Sequence, residues 1–309
     1  MKRTPIAGTA SALFLAATLA LGGCGGDPAS ISSPSSQPSS DSFVSSTAAP
    51  SSATTSADPT SRPDVEPFVI PDPVTGTYNG KPITMQYAAV SDCVWTNDNL
   101  RPYAFFNGYL PFHYYGTESP LDDLIGATYM DKNGKMICDP IYNFVYPFNA
   151  DGIAVAQKEN GSWVYLDITG IEKPAEEKDI EAWSQIDIQY DVPSVKPKDC
   201  LSAYVYENKV VVACFGNERK RYGDYSQLFD TNGNLIIETK FERIGNFYQG
   251  LAPIVLDGKL GIIDSKGNIV IQPSYKGVYA LSDPLFINED LIVMNSGGKI
   301  GIIEIIRSL

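Results

Sequence analysis

Histidine is nearly absent: His113 is the only one in 309 residues. Zinc centres built on two or three histidines are therefore excluded. A Ser-His-Asp triad would have to use His113, and no local motif supports one. No cysteine pair has C-x-x-C spacing, so a Cys₄ zinc site has no nucleus. Basic residues are scarce, 23 against 36 acidic ones, for a net charge of −13. A surface this acidic repels phosphate backbones, which argues against nucleic acid as a partner. The folded part carries no G-x-S-x-G, P-loop or dinucleotide fingerprint, so no cofactor is expected. Ser296-Gly297-Gly298-Lys299 has S-x-x-K spacing, but its glycines lead into a strand where that chemistry needs a helix. Asp131, Asn133 and Asp139 do not fall in the register of a calcium loop, so no metal is expected either.

What is present begins with an address. Met1-Lys2-Arg3 is basic, and Ile6 to Leu21 is almost wholly apolar or small. Together they read as the n- and h-regions of a signal peptide. The apolar stretch is at the short limit for a membrane span. It ends in Leu21-Gly22-Gly23-Cys24, which resembles the lipobox of bacterial lipoproteins. The resemblance implies that Cys24 takes a diacylglyceryl group as a thioether and becomes the acylated first residue. Two or three acyl chains, at about 0.8 kcal/mol per buried CH₂, make a stable bilayer anchor. Residues 1–23 are thus a leader and 24–66 the lipidated cysteine with a tether. Residues 29–62 include 14 Ser and 4 Thr, with Pro34, Pro38, Pro50 and Pro59. Such a segment has too little to bury to offset its ordering entropy and is expected to be disordered.

Residues 67–309 read differently. All 18 Tyr, all 3 Trp and 11 of the 13 Phe lie there. Asn79-Gly80, Asn107-Gly108, Asn133-Gly134, Asp151-Gly152, Asn160-Gly161, Asn232-Gly233 and Asp257-Gly258 punctuate short β-branched runs. Asn-Gly and Asp-Gly supply the positive φ angles of tight hairpins, so the fold class is all-β. One stretch, Lys173 to Trp183, reads as a short inserted helix. Pro174 suits its first turn, Glu176 and Glu177 suit its positive end, and Ile180 and Trp183 share a face.

The chain repeats. Asp131-Lys132-Asn133-Gly134, Asp167-Ile168-Thr169-Gly170, Asp230-Thr231-Asn232-Gly233 and Asp264-Ser265-Lys266-Gly267 each join two β-rich runs, and a fifth copy begins at Gly298. The longest gap, between Asp167 and Asp230, contains the helical segment. Phe148 and Phe247 each follow their aspartate by the same interval, and Gly152-Ile153-Ala154-Val155 matches Gly250-Leu251-Ala252-Pro253-Ile254-Val255. Each aspartate is expected to cap its turn through N–H groups two residues on. One such unit cannot bury its apolar face alone, so neighbours must stack. The segment Gly258-Lys259-Leu260-Gly261-Ile262-Ile263-Asp264, with the copy at Gly298, resembles the WG-repeat family. Leu260 and Ile300 stand where the family has tryptophan. The resemblance implies a β-rich repeat domain, common on secreted or surface proteins, and no catalytic residue. With only five or six units, a closed or propeller-like arrangement of antiparallel hairpins protects edges better than an open solenoid.

Two residue sets are candidates for further roles. Cys93, Cys138, Cys200 and Cys214 are even in number in an exported domain, which suggests two disulfides of open connectivity. Cys200–Cys214 across a hairpin turning at Glu207-Asn208, with Cys93–Cys138, is the favoured set. Seven aromatics crowd residues 103–115 around Asn107-Gly108. Across that turn Phe106 opposes Tyr109. If one face packs on the core, Phe106, Tyr109 and Tyr114 are left to stack on a ligand; otherwise all are core or cross-strand pairs. The reading is an outward-facing lipoprotein whose ectodomain binds glycan, cell wall or protein. The alternative is an envelope hydrolase using paired carboxylates.

Overall fold

The computed structural model describes residues 68–95, 104–116, 124–176, 178, 180–217, 223–276 and 285–308. The leader, Cys24, the tether and Tyr103 lie outside the described residues. The fold is antiparallel β almost throughout. The elements are β1 (Val74–Tyr78), β2 (Lys81–Val94), β3 (Tyr109–Tyr114), β4 (Gly126–Asp131), β5 (Tyr142–Val145), β6 (Ile153–Lys158), β7 (Trp163–Asp167), β8 (Glu172–Pro174) and α1 (Ile180–Ser184). Then come β9 (Ser202–Tyr206), β10 (Val210–Phe215), β11 (Tyr225–Asp230), β12 (Arg243–Ile244), β13 (Leu251–Leu256), β14 (Lys259–Asp264) and β15 (Ile269–Lys276). The last are β16 (Ile287–Asn288), β17 (Leu291–Ser296) and β18 (Lys299–Arg307). Strands β3 to β8 form one sheet, β9 to β11 a second and β12 to β15 a third. The fourth has the order β1-β2-β18-β17-β16. Here the two ends of the folded chain pair directly, Met85 with Ile305 and Val90 with Gly301. None of these sheets, among the described residues, closes into a barrel.

The Asp-x-x-Gly turns explain why the strands reverse where they do. Oδ1 of Asp131 accepts the N–H groups of Asn133 (2.9 Å) and Lys135 (3.0 Å). Asp167, Asp230 and Asp264 each do the same at the second and fourth residues on. Asn149 builds an identical turn with Asp151 and Ile153, a copy the aspartate pattern had hidden. The glycines let successive turns approach. A Cβ added at Gly267, whose φ is +87°, would lie 2.9 Å from Ile236 Cγ2, just beyond the preceding Asp230 turn. An L-residue there is disfavoured by conformation and by contact.

Central strands are buried on both faces because each serves two neighbours. In β17, Ile292 and Met294 pack toward Leu260, Ile262, Ile271 and Tyr275 of the third sheet. Leu291 and Val293 pack toward Phe105, Leu110, Phe112 and Met130. In β13, Leu251 and Val255 join the first of these clusters, whereas Ala252 and Ile254 meet Tyr206, Val210 and Val212 of the second sheet. Period-2 alternation thus survives, but it sorts residues between two cores instead of between core and solvent.

The inserted helix is shorter than expected. Residues 172–174 continue the first sheet as β8, with Pro174 opposite Val164, a position an edge strand tolerates. Helix α1 spans only Ile180–Ser184, and neither Ile180 nor Trp183 is fully buried. Trp183 donates from Nε1 to the Ile153 carbonyl (3.1 Å) and packs against Tyr165. The expected disulfides are also absent: Cys93, Cys138, Cys200 and Cys214 are free thiols. Cys214 pairs with Ser202, so Cys200 stands two residues out of register with it. Cys93 belongs to the cluster of Phe105 and Phe112, whereas Cys138 packs with Tyr129 and Phe148 and contacts Thr128 Oγ1 (3.3 Å). Burial pushes the Cys93, Cys138 and Cys200 thiols up, away from the reactive thiolate.

Candidate binding surface

Seven two-residue turns among the described residues have positive φ at both central positions, and four of them, Asn107-Gly108, Glu207-Asn208, Gln249-Gly250 and Glu289-Asp290, are tied to one another or to a neighbouring strand. Two of them place a glutamate where φ is near +50°, a conformation costing roughly 1–2 kcal/mol. Contacts to the next turn compensate. The Glu207 carboxylate accepts the Gly250 N–H (3.0 and 3.2 Å). The Glu289 carboxylate accepts the N–H groups of Asn107 and Gly108, the latter at 2.7 Å. A hydrogen bond to a charged group contributes about 1.5–3 kcal/mol, enough to offset the strain.

The links run on. Arg307 forms a bidentate pair with Asp290 (2.6–3.0 Å) and donates to the carbonyls of Gln249 (3.1 Å) and Tyr248 (3.3 Å). Asn107 Nδ2 donates to the Phe148 carbonyl (2.7 Å), at the edge of the Asn149 turn. Turns from all four sheets are therefore tied head to tail. Between the Asn149 turn and β9 the inserted segment intervenes. Trp183 reaches Ile153, and Asp191 exchanges backbone hydrogen bonds with Val205 (2.7 and 3.0 Å).

This arrangement places the sequence-predicted aromatics. Phe106 does oppose Tyr109 across the turn, with both backbone bonds formed (2.9 and 3.2 Å). The expectation that Phe106 faces solvent fails, since it is 7% exposed. Tyr109 is half-buried with its ring 5.0 Å from Phe148, and Tyr114 is half-buried edge-on to Phe112. The hairpin is largely core. His113 on β3 pairs with Ala127 on β4, and Ser296 pairs with Lys299 across a glycine turn, with Tyr87 3.0 Å from its hydroxyl.

A different aromatic group stands at the surface. Tyr190 is 53% exposed, and its ring meets Tyr204 edge-on at 4.9 Å and Tyr206 at 6.3 Å. Tyr204 and Tyr206 share one face of β9 and line a cleft of about 40 Å³ with Arg243, Asn246, Leu285 and Phe286. That volume holds about one water, so the cleft admits only the tip of a ligand group. Its floor is fixed: the Asn246 amide donates to the Ile287 carbonyl (2.8 Å) and accepts the Ile287 N–H (2.7 Å). The sequence pattern missed this site because Tyr190 lies in an irregular insertion outside the repeat. Elsewhere Glu172 accepts from Lys158 Nζ (2.7 Å) and the Tyr142 hydroxyl (2.9 Å). Its carboxyl is held low, first by Lys158, while burial pushes the Tyr142 phenol up. That cluster cross-links β5, β6 and β8.

A family model described as WG containing repeat matches residues 128–163, 228–259 and 261–290. Each match contains one Asp-x-x-Gly turn and the linking turn that follows it. The insertion separates the first match from the second. No curated protein matches the chain. Among solved structures, the computationally designed Ika8 protein is 11% identical over 70% of this chain and 99% of its own, with a TM-score of 0.34. BamB from Moraxella catarrhalis is 10% identical over 74% and 81%, with a TM-score of 0.22. A streptogramin B lyase structure is 11% identical over 72% and 98%, with a TM-score of 0.24.

Proposed function

We propose that this chain is an outward-facing lipoprotein, anchored by acylated Cys24. A Ser/Thr/Pro-rich tether carries its β-repeat domain, which acts as an interaction module for a glycan, cell-wall or protein ligand. The hairpin units stand in a closed, propeller-like ring. Pairing of β2 with β18 and the turn-to-turn links support that arrangement. The observation that carries the binding role is the exposed Tyr190 held edge-on against Tyr204, which itself lines the small cleft. A tyrosine held by neighbours offers apolar area and a polar tip at small entropic cost. Screening the protein against a glycan array and a wall fraction tests the role. Tyr190→Ala is expected to weaken retention by about 1–2 kcal/mol; unchanged retention would remove this surface from consideration. The anchor has its own test. Cys24→Ser abolishes fatty-acid labelling, because a hydroxyl cannot form the thioether, and labelling that persists overturns the assignment.

A further inference from the structure

Five Asn-Gly sequences invite spontaneous deamidation, and the structure separates them. The reaction needs a free glycine N–H. The Gly80 nitrogen attacks Asn79 Cγ, a C–N bond forms, and the side-chain amide leaves as ammonia with the Gly80 proton. Water then opens the succinimide at either carbonyl, giving aspartate or isoaspartate. A glycine N–H held by an acceptor must first give up that bond.

At four of the five sites the glycine is held. Gly134 donates to the Asp131 carbonyl (3.0 Å), Gly161 to Lys158 (2.9 Å) and Gly233 to Asp230 (3.1 Å). Gly108 donates to the Glu289 carboxylate (2.7 Å), and the Asn107 amide is itself tied to the Phe148 carbonyl. At Asn79-Gly80, among the described residues, no acceptor stands on the glycine N–H and no partner on the asparagine side chain. Both residues are exposed, and nothing lies within 4 Å of a Cβ placed on Gly80. Asn107 is a built-in control. It has the same dipeptide, the same two-residue hairpin and φ of 53° against 52° at Asn79. At the reacting groups the clamp from Glu289 and Phe148 is what separates the two sites.

We propose that Asn79 is a deamidation site of the native protein and that Glu289 shields Asn107 from the same reaction. Either product puts a carboxylate in the β1–β2 turn. The isoaspartyl form also lengthens the backbone by one carbon, which breaks the two-residue loop that sets Tyr78 opposite Lys81. That hairpin is the one joining β18, so the modification acts on the sheet where the chain ends meet.

The test is peptide mapping of the purified full chain during incubation at mildly alkaline pH, with a denatured sample as reference for each site. Native Asn79 is expected to convert at least about ten-fold faster than Asn107, the ratio that about 1.4 kcal/mol of differential protection produces. The denatured sample should show the two sites converting alike. Glu289→Ala is expected to raise the Asn107 rate toward that of Asn79. Equal native rates at Asn79 and Asn107, or a faster site among Asn133, Asn160 and Asn232, would overturn the site assignment. An Asn107 rate unmoved by Glu289→Ala would overturn the shielding.

Discussion

Replacing Phe106 by alanine separates two roles for the aromatic hairpin without any ligand in hand. The side chain is 7% exposed, so nearly all of its apolar surface is out of water. A buried phenylalanine removes about 150–250 Å² from solvent, and at about 25 cal/mol per Å² this corresponds to roughly 4–6 kcal/mol. Because the unfolded chain already hides part of that surface, the figure is an upper bound. Measured truncations cost about 3–5 kcal/mol, so about 3–4 kcal/mol is expected. For a folded unit of about 150–250 residues each kcal/mol moves the melting temperature by about 2–4 °C. Phe106→Ala should therefore melt roughly 6–16 °C below the parent. Tyr109→Ala, half-buried against Phe148, should lose less, about 1–2 kcal/mol. Thermal melts followed by tryptophan fluorescence, with urea titrations to check that the slope is unchanged, give both values. A Phe106→Ala melt within about 2 °C of the parent would refute the packing described here, and would return the hairpin to the surface as a ligand-stacking site.

Acid should loosen the repeat turns. The Asp230 carboxyl is held below the usual range, first by the Asn234 side-chain amide and then by the Asn234 N–H. Asp167 is held low first by the Thr169 hydroxyl and then by the Ile171 N–H. Because both folded values are depressed, their contribution is fully present above the unfolded value of about 3.9 and disappears as pH falls through the folded ones. The urea midpoint should drop from about pH 5 downward, and the Asp167→Asn, Asp230→Asn double variant should flatten that slope; identical slopes would refute the assignment. Gly76→Ala should unfold the domain or cost well over about 2 kcal/mol. Its Cβ would lie 1.8 Å from the Val270 carbonyl oxygen, so β1 could not remain against β15. Normal expression and an unchanged melt would show that this approach is not needed.

Much of the fold was legible because its signals are local. Asp264-Ser265-Lys266-Gly267 closes a turn by bonds that span four residues, and its neighbour Asn268 completes it through Nδ2 (2.9 Å to Asp264 Oδ2). The hairpin turning at Glu207-Asn208 was visible for the same reason. The candidate site was not. Tyr190 meets Tyr204 from an insertion without period, and Arg243 comes from a two-residue strand too short to register as one. The aromatic run 103–115 misled because composition measures how much apolar surface a segment holds, not which side of it is covered.

The sequence by itself determined the all-β class, the repeat and the places where the chain turns, since each depends on residues within one hairpin. Tertiary structure alone decided three things. It set the N-terminal hairpin beside β18, a pairing between residues more than two hundred positions apart. It buried Phe106. It also let Glu207 and Glu289 hold positive φ angles that their side chains disfavour. The strand that receives the N-terminal hairpin and the turns that receive Glu207 and Glu289 come from distant parts of the chain. Their positions follow from how the units stack, and no short window of the chain contains both halves of these contacts.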